Sequence, residues 1–226
     1  CPPYRSKRGI VSVMHDRQSR LGILAGLGAA SIWGGLYVVS KVVLASIPPF
    51  SLLLLRLWIG GGLIGLAAWR SGWQPITPRQ LIDLLLVGFI GYGVSLGLQF
   101  TGTHLSTAAN GAVITAATPA FVFIFAYLLL GERIHRRRWL ALGVATLGVL
   151  LVVDVRAARL TPDLFRGNLL LVGAALTWAL HSVLVRRASQ ELDTLTVSLW
   201  AFLGGLLFAV PAGAWELTSG ASLAWS

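Results

Sequence analysis

The sequence predicts an all-α fold, a polytopic bundle of transmembrane helices, and three observations support that prediction. Of the 226 residues, 56% are hydrophobic and only 12% are charged, which is more apolar surface than one water-soluble core of this length can bury. Seven apolar segments, each long enough to cross the roughly 30 Å hydrocarbon core of a bilayer, alternate with short polar stretches. The chain also resembles itself after a shift of 145 residues.

The net charge of +10 does not indicate nucleic-acid binding, because the basic residues lie in short loops between apolar segments and form no single face or tail. Cys1 is the only cysteine, so the chain can form no internal disulfide. The sequence has no zinc motif, phosphate-binding loop or pair of catalytic carboxylates. We therefore predict no metal, no cofactor, no catalytic residue and no enzymatic activity.

Residues 1–20 carry five basic side chains and no apolar run, so we expect a cytoplasmic tail. The first apolar segment, 21–44, is too long for the core of a signal peptide and is stopped by Pro48 and Pro49. The second segment, 50–69, ends ahead of a loop that is rich in glycine and proline.

The third segment, 81–100, leads into the uncharged turn 101–106. The region 107–153 holds the fourth and fifth segments, separated by a hairpin with one acid, Glu132, and four arginines. Each arginine would cost about 3 kcal/mol at the bilayer centre, and short basic loops stay on the cytoplasmic side. We therefore expect the hairpin to lie outside the hydrocarbon, in the cytoplasm.

A polar linker, 154–166, precedes the sixth segment, 167–185, and a basic turn follows it at Arg186 and Arg187. The seventh segment spans about 194–215. With the tail inside, thirteen Lys and Arg residues lie on the inner side and only four on the outer side. This asymmetry predicts a multi-pass protein of the inner membrane with a cytoplasmic N-terminus.

The shift of 145 residues places Trp33 on Trp178 and Lys41 on Arg186 without a gap. A tryptophan in the middle of a helix, followed eight positions later by a basic residue, is hard to match by chance between apolar segments. Because five helices separate the two copies, the second copy enters the membrane in the opposite direction. The pattern predicts an inverted repeat, an architecture from which many secondary transporters are built.

Five stretches carry a family resemblance: AASIWGGLYVVSK, PPFSLLLLRLWIGGG, TAANGAVITAATPAFVFIFAYLLLGERI, LALGVATLGVLLV and GNLLLVGAALTWALHSVLVRR. In this order the chain resembles the EamA-type transporters of the drug/metabolite transporter superfamily. The resemblance covers about residues 20–215. Its most specific part is the proline of the fourth segment followed by Gly-Glu-Arg.

The resemblance implies ten helices in two five-helix repeats around a central cavity, which moves small metabolites, amino acids or drugs, commonly outward. It implies a first repeat at 21–153 and a partial second repeat at 167–226. Because Ser226 maps onto Leu81, we expect the last three helices to be missing. We also expect the sequence to be a fragment at its beginning, with Met14 as a candidate start. The implied partners are a small-molecule substrate and the lipid bilayer, and a homodimer is left open.

Trp33 and Trp178 lie near the middle of their segments, where an interfacial belt of tryptophans does not explain them. They are predicted to line the cavity or, alternatively, to pack in the core or face lipid. Tyr37 and Lys41 share one helix stripe with Trp33, and Lys41 is expected to snorkel to the outer surface, with contact to the substrate as the alternative. His181 lies one turn from Trp178 and near mid-membrane, where ionisable residues usually face a protein interior or a water-filled path, so it is predicted to line the cavity. The alternative is a neutral histidine that is bonded to a carbonyl of a neighbouring helix.

Pro119 lies halfway along the fourth segment and is expected to kink it, which frees the carbonyl of Thr115. Broken helices at this depth often line transport sites, although a purely structural bend is an equal alternative. Asn110 and Gln99 lie toward the outer side and are expected at the cavity mouth.

Arg56 is predicted either to snorkel or to bind an anionic group, and Glu132 is predicted to form a latch with Arg133 or the arginines at 136–138. The candidate substrate-binding residues are Trp33, Tyr37, Arg56, Tyr92, Asn110, Thr115, Thr118, Trp178 and His181. Pro119 and Glu132 are the candidate structural or gating residues.

Two other functions are left open by the sequence. Gly93, Ser95 and Gly97 fit the G-x-S-x-G pattern of a serine nucleophile, which makes an intramembrane hydrolase the first alternative. That chemistry needs a strand-to-helix elbow, whereas these residues lie in a glycine-rich membrane segment, where helix packing explains them. A membrane scaffold that transports nothing is the second alternative.

Overall fold

The computed structural model describes residues 31–132 and 161–219, together with Leu24, Leu27, Gly28 and eight positions between 139 and 151. The described residues form helices and turns and include no strand, so the predicted all-α class is confirmed. Five of the described helices are long and apolar enough to cross a membrane, and a shorter apolar helix precedes them. The tail 1–20 and the arginines at 133–138 lie outside the described residues.

In chain order the helices are α1 (Ser31–Val43), α2 (Pro49–Ser71), α3 (Pro78–Leu105), α4 (Ala108–Leu130), α5 (Pro162–Ala188) and α6 (Thr194–Thr218). Helices α1 to α4 correspond to the first four predicted segments, and α5 and α6 correspond to the sixth and seventh. About half of the fifth predicted segment lies outside the described residues, and its described positions between 139 and 151 are helical.

Local sequence signals set several helix ends. Thr77 and Gln80 form a capping box ahead of α3, in which each side chain accepts a hydrogen bond from the other's backbone N–H. Asp193 caps α6 by accepting hydrogen bonds from the side chain and backbone of Thr196, which hold the pKa of this exposed carboxyl below its ordinary value. Gly131 ends α4 with φ of 66°, a left-handed conformation that suits glycine.

Two of the helices are irregular at mid-length. Helix α3 contains a π-helical segment, Phe89–Ser95, after which the N–H of Leu96 bonds to the carbonyl of Gly91 five residues earlier. Helix α4 is interrupted at Ala116 and Ala117, where a turn separates two helical pieces. The interruption lies directly ahead of Pro119, where the sequence predicts a kink.

Helices α2 and α6 pack side by side and run in opposite directions. Glu216 near the end of α6 contacts Phe50 at the start of α2, and Phe202 lies against Gly60 in the middle of the pair. On its side away from this contact, α2 has large apolar side chains that are exposed. Trp58, for example, is 62% exposed. Such an outward face suits lipid, in which the apolar side chains of a helix need no burial inside the protein.

The ends of the helices repeat at the predicted interval. Helices α1 and α5 end at Val43 and Ala188, and α2 and α6 begin at Pro49 and Thr194, so both pairs of ends are 145 residues apart. Because no gap is needed in either case, the helix boundaries support the repeat that the sequence indicates.

Contacts between the two copies are reciprocal. Gly60 lies against Phe202, and its equivalent Gly205 lies against Leu57, which is the equivalent of Phe202. The rings of Trp33 and Trp178, also equivalent, have their centroids 5.3 Å apart. A pseudo-two-fold relation between antiparallel helices produces such reciprocity, and this arrangement supports an inverted repeat.

Hydrogen bonds group the helix ends into two sets at opposite sides of the bundle. At one end, which we call the Lys41 end, the ammonium of Lys41 donates to the carbonyls of Thr103, His104 and Ser106. Lys41 therefore caps the C-terminus of α3, whereas the sequence suggested that it snorkels to the surface. The other end, the Arg186 end, holds the loop between α2 and α3, which bonds to the loop between α5 and α6 through Gln74.

Candidate functional site

A cavity of about 630 Å³ lies between α1, α4 and α5, with Gln99 of α3 in its wall. Its volume falls in the range of small-molecule sites, and its wall is mostly apolar with a few polar groups. Six of the predicted residues line it together: Trp33, Tyr37, Thr115, Thr118, Pro119 and Trp178. Gln99, which the sequence placed at the cavity mouth, is also in the wall.

One side of this cavity is aromatic. The rings of Trp33 and Trp178 are tilted by 58° and lie at the point where α1 and α5 meet. Trp178 also contacts Tyr92, with ring centroids 5.9 Å apart. These indole faces offer a planar or apolar ligand a large contact area with little loss of side-chain entropy.

The opposite side is built by the interrupted helix α4. The hydroxyl of Thr115 donates to the carbonyl of Gly111 at 2.6 Å and is hydrogen-bonded to the hydroxyl of Tyr37. Gly111 has no side chain, so the ring of Tyr37 can pack directly on α4. Pro119 has no N–H, so it cannot donate a helical hydrogen bond to the carbonyl of Thr115. That carbonyl therefore lacks its helical donor beside the cavity.

His181 and Tyr92 lie behind the aromatic wall and are not among the residues that line the cavity. His181 is buried, and its Nδ1 is 2.9 Å from the carbonyl of Val87. Because a carbonyl only accepts hydrogen bonds, Nδ1 carries the proton in this contact. The structure thus gives His181 the alternative role that the sequence offered, a bond to a carbonyl of a neighbouring helix.

Asn110 belongs to a polar cluster at the Lys41 end and is also outside the cavity wall. Its amide donates to Asn168 Oδ1 at 3.1 Å and to Ser106 Oγ at 3.4 Å, and Ser106 donates to the same Asn168 oxygen. Asn168 is only 1% exposed, and our sequence analysis missed it. An amide near the start of an otherwise apolar segment was the available signal.

Arg56 lies seven residues after the start of α2, and its guanidinium packs against α3. Its guanidinium carbon is 5.8 Å from the centroid of the Phe100 ring, close enough for a cation–π contact. Arg56 is absent from the cavity wall, but Gln99 beside Phe100 is part of it.

Ser95 is buried, and its hydroxyl donates to the carbonyl of Ala174 at 2.8 Å. This bond joins α3 to α5 and accounts for the serine by helix packing. Within the part of the chain that the structure describes, no three His, Cys, Asp or Glu side chains are grouped to hold a metal ion.

A second cleft, of about 670 Å³, opens at the Arg186 end between α3 and α5. Its wall contains side chains of both charges, including Arg79, Asp83, Arg187 and Glu191. None of the predicted site residues lines it. The aromatic cavity, which six of the predicted residues line, is therefore the stronger candidate for the functional site.

Glu132 pairs with Arg186 at 2.7 Å, which joins the end of α4 to the end of α5. The sequence predicted a compensating cation for Glu132 among Arg133 and the arginines at 136–138, all of which lie outside the described residues. The partner that the structure describes, Arg186, belongs to α5.

We expect Glu132→Arg and Arg186→Glu to lower Tm slightly when made singly, and the double exchange to recover it. The coupling should be about 0.5 kcal/mol, because the Glu132 and Arg186 side chains are 33% and 59% exposed and water screens the pair. A double-mutant cycle on thermal melts in detergent micelles measures this coupling. Arg187→Glu is the control, and a cycle without coupling would show that the pair contributes nothing.

Comparison with known proteins identifies the family of this chain. The model of the EamA-like transporter family matches residues 20–154, more than half of the chain. An uncharacterized transporter of Bacillus subtilis, YetK, is 27% identical over 222 residues, which cover 96% of this chain and 66% of the relative. A probable biotin transporter of Pseudomonas aeruginosa is 31% identical over 156 residues, 67% of this chain and 52% of that protein.

An uncharacterized inner membrane transporter of Escherichia coli, YedA, is 22% identical over 79% of this chain and 58% of its own length. The chain thus spans between about half and two thirds of the length of these relatives. One solved crystal structure has a similar fold, with a TM-score of 0.60 and 22% identity over 90% of this chain and 68% of the other.

Proposed function

The chain belongs to the EamA-like transporter family, and from this premise we propose that it acts as a secondary transporter of the inner membrane. The proposed cargo is a small metabolite, an amino acid or a drug, moved outward by alternating access. Its two repeats would be 21–153 and 167–226, and the substrate would bind in the aromatic cavity between them.

The contact between Trp33 and Trp178 is the observation that carries the proposal. These two residues occupy equivalent positions of the two copies, their rings touch, and both line the cavity. The cavity wall is therefore also the seam between the copies. A rocking motion of one copy against the other changes the shape of the cavity directly, which is what alternating access requires.

The distribution of charge supports an orientation with the Arg186 end in the cytoplasm. Arg70, Arg79, Arg186 and Arg187 all lie at that end, whereas Lys41 and Arg166 lie at the other. Short basic loops stay on the cytoplasmic side of a membrane. In this orientation α1 runs outward and the N-terminus is inside.

Flux into or out of liposomes that contain the purified chain tests the proposal. We expect movement of at least one solute from a panel of tryptophan, biotin and indole-3-acetate; biotin is included because a relative is named a probable biotin transporter. Trp33→Ala and Trp178→Ala should each reduce the rate about tenfold, since each removes one face of the binding wall.

Trp58→Ala and Trp69→Ala are the matched controls, because these side chains are 62% and 75% exposed on the outer face of α2. They should leave the rate within about twofold. Equal rates in the cavity variants and the controls would contradict the assignment of the cavity. A folded chain that moves none of the solutes would favour the scaffold alternative.

A further inference from the structure

Two buried hydrogen-bond donors beside the aromatic cavity have no partner among the described residues. They are Nη1 of Arg56 and Nε2 of Gln99. Gln99 is 4% exposed and lies in the cavity wall. A buried donor without an acceptor costs free energy, and an unpaired cation at membrane depth costs more, so such groups usually mark a binding site or a pathway.

The two donors lie in one layer of the bundle together with Tyr37. Tyr37 precedes the end of α1 by six residues, Arg56 follows the start of α2 by seven, and Gln99 precedes the end of α3 by six. At a rise of about 1.5 Å per residue, each lies about 9–10 Å below the Lys41 end. Trp33 lies one turn deeper than Tyr37, about 15 Å from the same end. The polar donors therefore lie closer to the Lys41 end than Trp33 does.

This layer has no acidic side chain to balance Arg56 within the described part of the chain. Of the described acids, Asp163 and Glu216 lie within one turn of the helix ends at the Lys41 end, nearer to that end than this layer, and the others lie at the Arg186 end: Asp83, Glu132, Glu191 and Asp193. Glu216 lies at the Lys41 end, and its carboxylate already accepts hydrogen bonds from Phe50 and Ser51. None of these carboxylates is therefore a counter-ion for Arg56.

We propose that the cavity binds an organic anion, whose carboxylate pairs with Arg56 and Gln99 and whose apolar body lies against Trp33 and Trp178. The inference rests on the proposed function, since it specifies the chemical class of the transported solute. The guanidinium of Arg56 lies against the ring of Phe100, the residue that follows Gln99 in α3, and a turn of the side chain past that ring would bring it to the cavity wall. A guanidinium and an amide together supply the donors that a carboxylate accepts.

A cationic solute fits this cavity less well. Indole rings attract cations, but the charge of Arg56 opposes one, and no residue that lines the cavity is acidic. An amino acid would place its ammonium group without an acidic partner. We therefore expect a preference for a simple carboxylate over both a neutral and a zwitterionic compound with the same body.

Binding to the full chain in detergent micelles tests this inference. The probes are indole-3-acetate, its neutral amide indole-3-acetamide, and tryptophan, which share an indole body and differ in charge. We expect indole-3-acetate to bind about tenfold more tightly than the amide by isothermal titration calorimetry. Arg56→Gln should remove that preference and leave binding of the amide unchanged, Arg56→Lys should retain part of it, and Gln99→Leu should reduce it.

Arg70→Gln is the matched control, because Arg70 is an exposed arginine of the same helix at the Arg186 end. Helical circular dichroism and elution volume check that each variant folds. Equal binding of acetate and amide by the unchanged chain, binding of neither, or a preference that survives Arg56→Gln would overturn the inference. Liposome flux separates this inference from the proposed function. If the chain transports solutes without preferring a carboxylate, the proposed transport is supported and the anion site is not. If the chain prefers a carboxylate through Arg56 but transports nothing, the anion site is supported and the proposed transport is not.

Discussion

Gly204→Ala is expected to destabilise the bundle by about 3 kcal/mol although it adds only one methyl group. A Cβ at this position would overlap the backbone carbonyl of Leu85, so the main chains of α6 and α3 meet at this point without intervening side chains. The contact is reciprocal, because a Cβ on Gly88 would overlap the backbone of Ala201. Since backbone atoms cannot turn aside as a flexible side chain can, the two helices must separate, and we expect Gly88→Ala to have a similar effect.

Thermal melting in detergent micelles, followed by intrinsic tryptophan fluorescence, measures the loss. Gly62→Ala and Gly65→Ala are matched controls within α2, because a Cβ at either position meets open space. Alanine is the better helix former by about 1 kcal/mol, so these controls should melt at the same temperature as the unchanged chain or slightly higher. If all four variants melted alike, the close approach of α3 and α6 would be incorrect.

Glu216→Ala is expected to cost about 3 kcal/mol, because it removes the cap that joins the end of α6 to the start of α2. The carboxylate accepts hydrogen bonds from the backbone N–H groups of Phe50 and Ser51 and from the Ser51 hydroxyl, at 3.2, 2.7 and 3.0 Å. A negative charge at a helix N-terminus is favourable, and its loss also leaves two backbone donors unpaired. Helix α2 should therefore fray from the Lys41 end.

Hydrogen exchange at Phe50 and Ser51, together with the melting temperature, measures that effect. Glu216→Gln keeps one carbonyl oxygen and should fall between the alanine variant and the unchanged chain. Glu191→Ala is the control, since its carboxylate makes one exposed contact with Gln80 at 3.4 Å. Equal melting of the Glu216→Ala and Glu191→Ala variants would show that Glu216 does not stabilise the bundle.

The sequence predicted those features that one helix or one regular repeat determines. The apolar length of each segment predicted the membrane helices, Pro119 predicted the interruption of α4, and the shift of 145 residues brought Trp33 and Trp178 together as candidates. In each case the signal lies in residue types and spacings along the chain. Nothing about the packing of distant helices was needed.

The contacts between distant helices could not be predicted in this way. Lys41 and His181 were singled out by charge and depth, but their carbonyl partners belong to α3, and spacing along the chain does not identify them. Glu216 was overlooked because an acid at the end of an apolar segment resembles the start of a loop. Arg186, the partner of Glu132 that the structure describes, lies in α5, whereas the arginines predicted to pair with it lie outside the described residues.

The π-helical segment Phe89–Ser95 sets the direction in which the side chains of the rest of α3 face. A π turn holds one residue more than an α turn, so it acts as a single-residue insertion that the helix absorbs without breaking. Each residue of a regular helix advances the side chains by about 100° around the axis. Without the wide turn, Gln99 and Phe100 would be rotated by about that angle, and Gln99 would be turned away from its place in the cavity wall. The direction in which the last ten residues of α3 face is thus set by the glycine-containing π turn, which ends about one turn before Gln99.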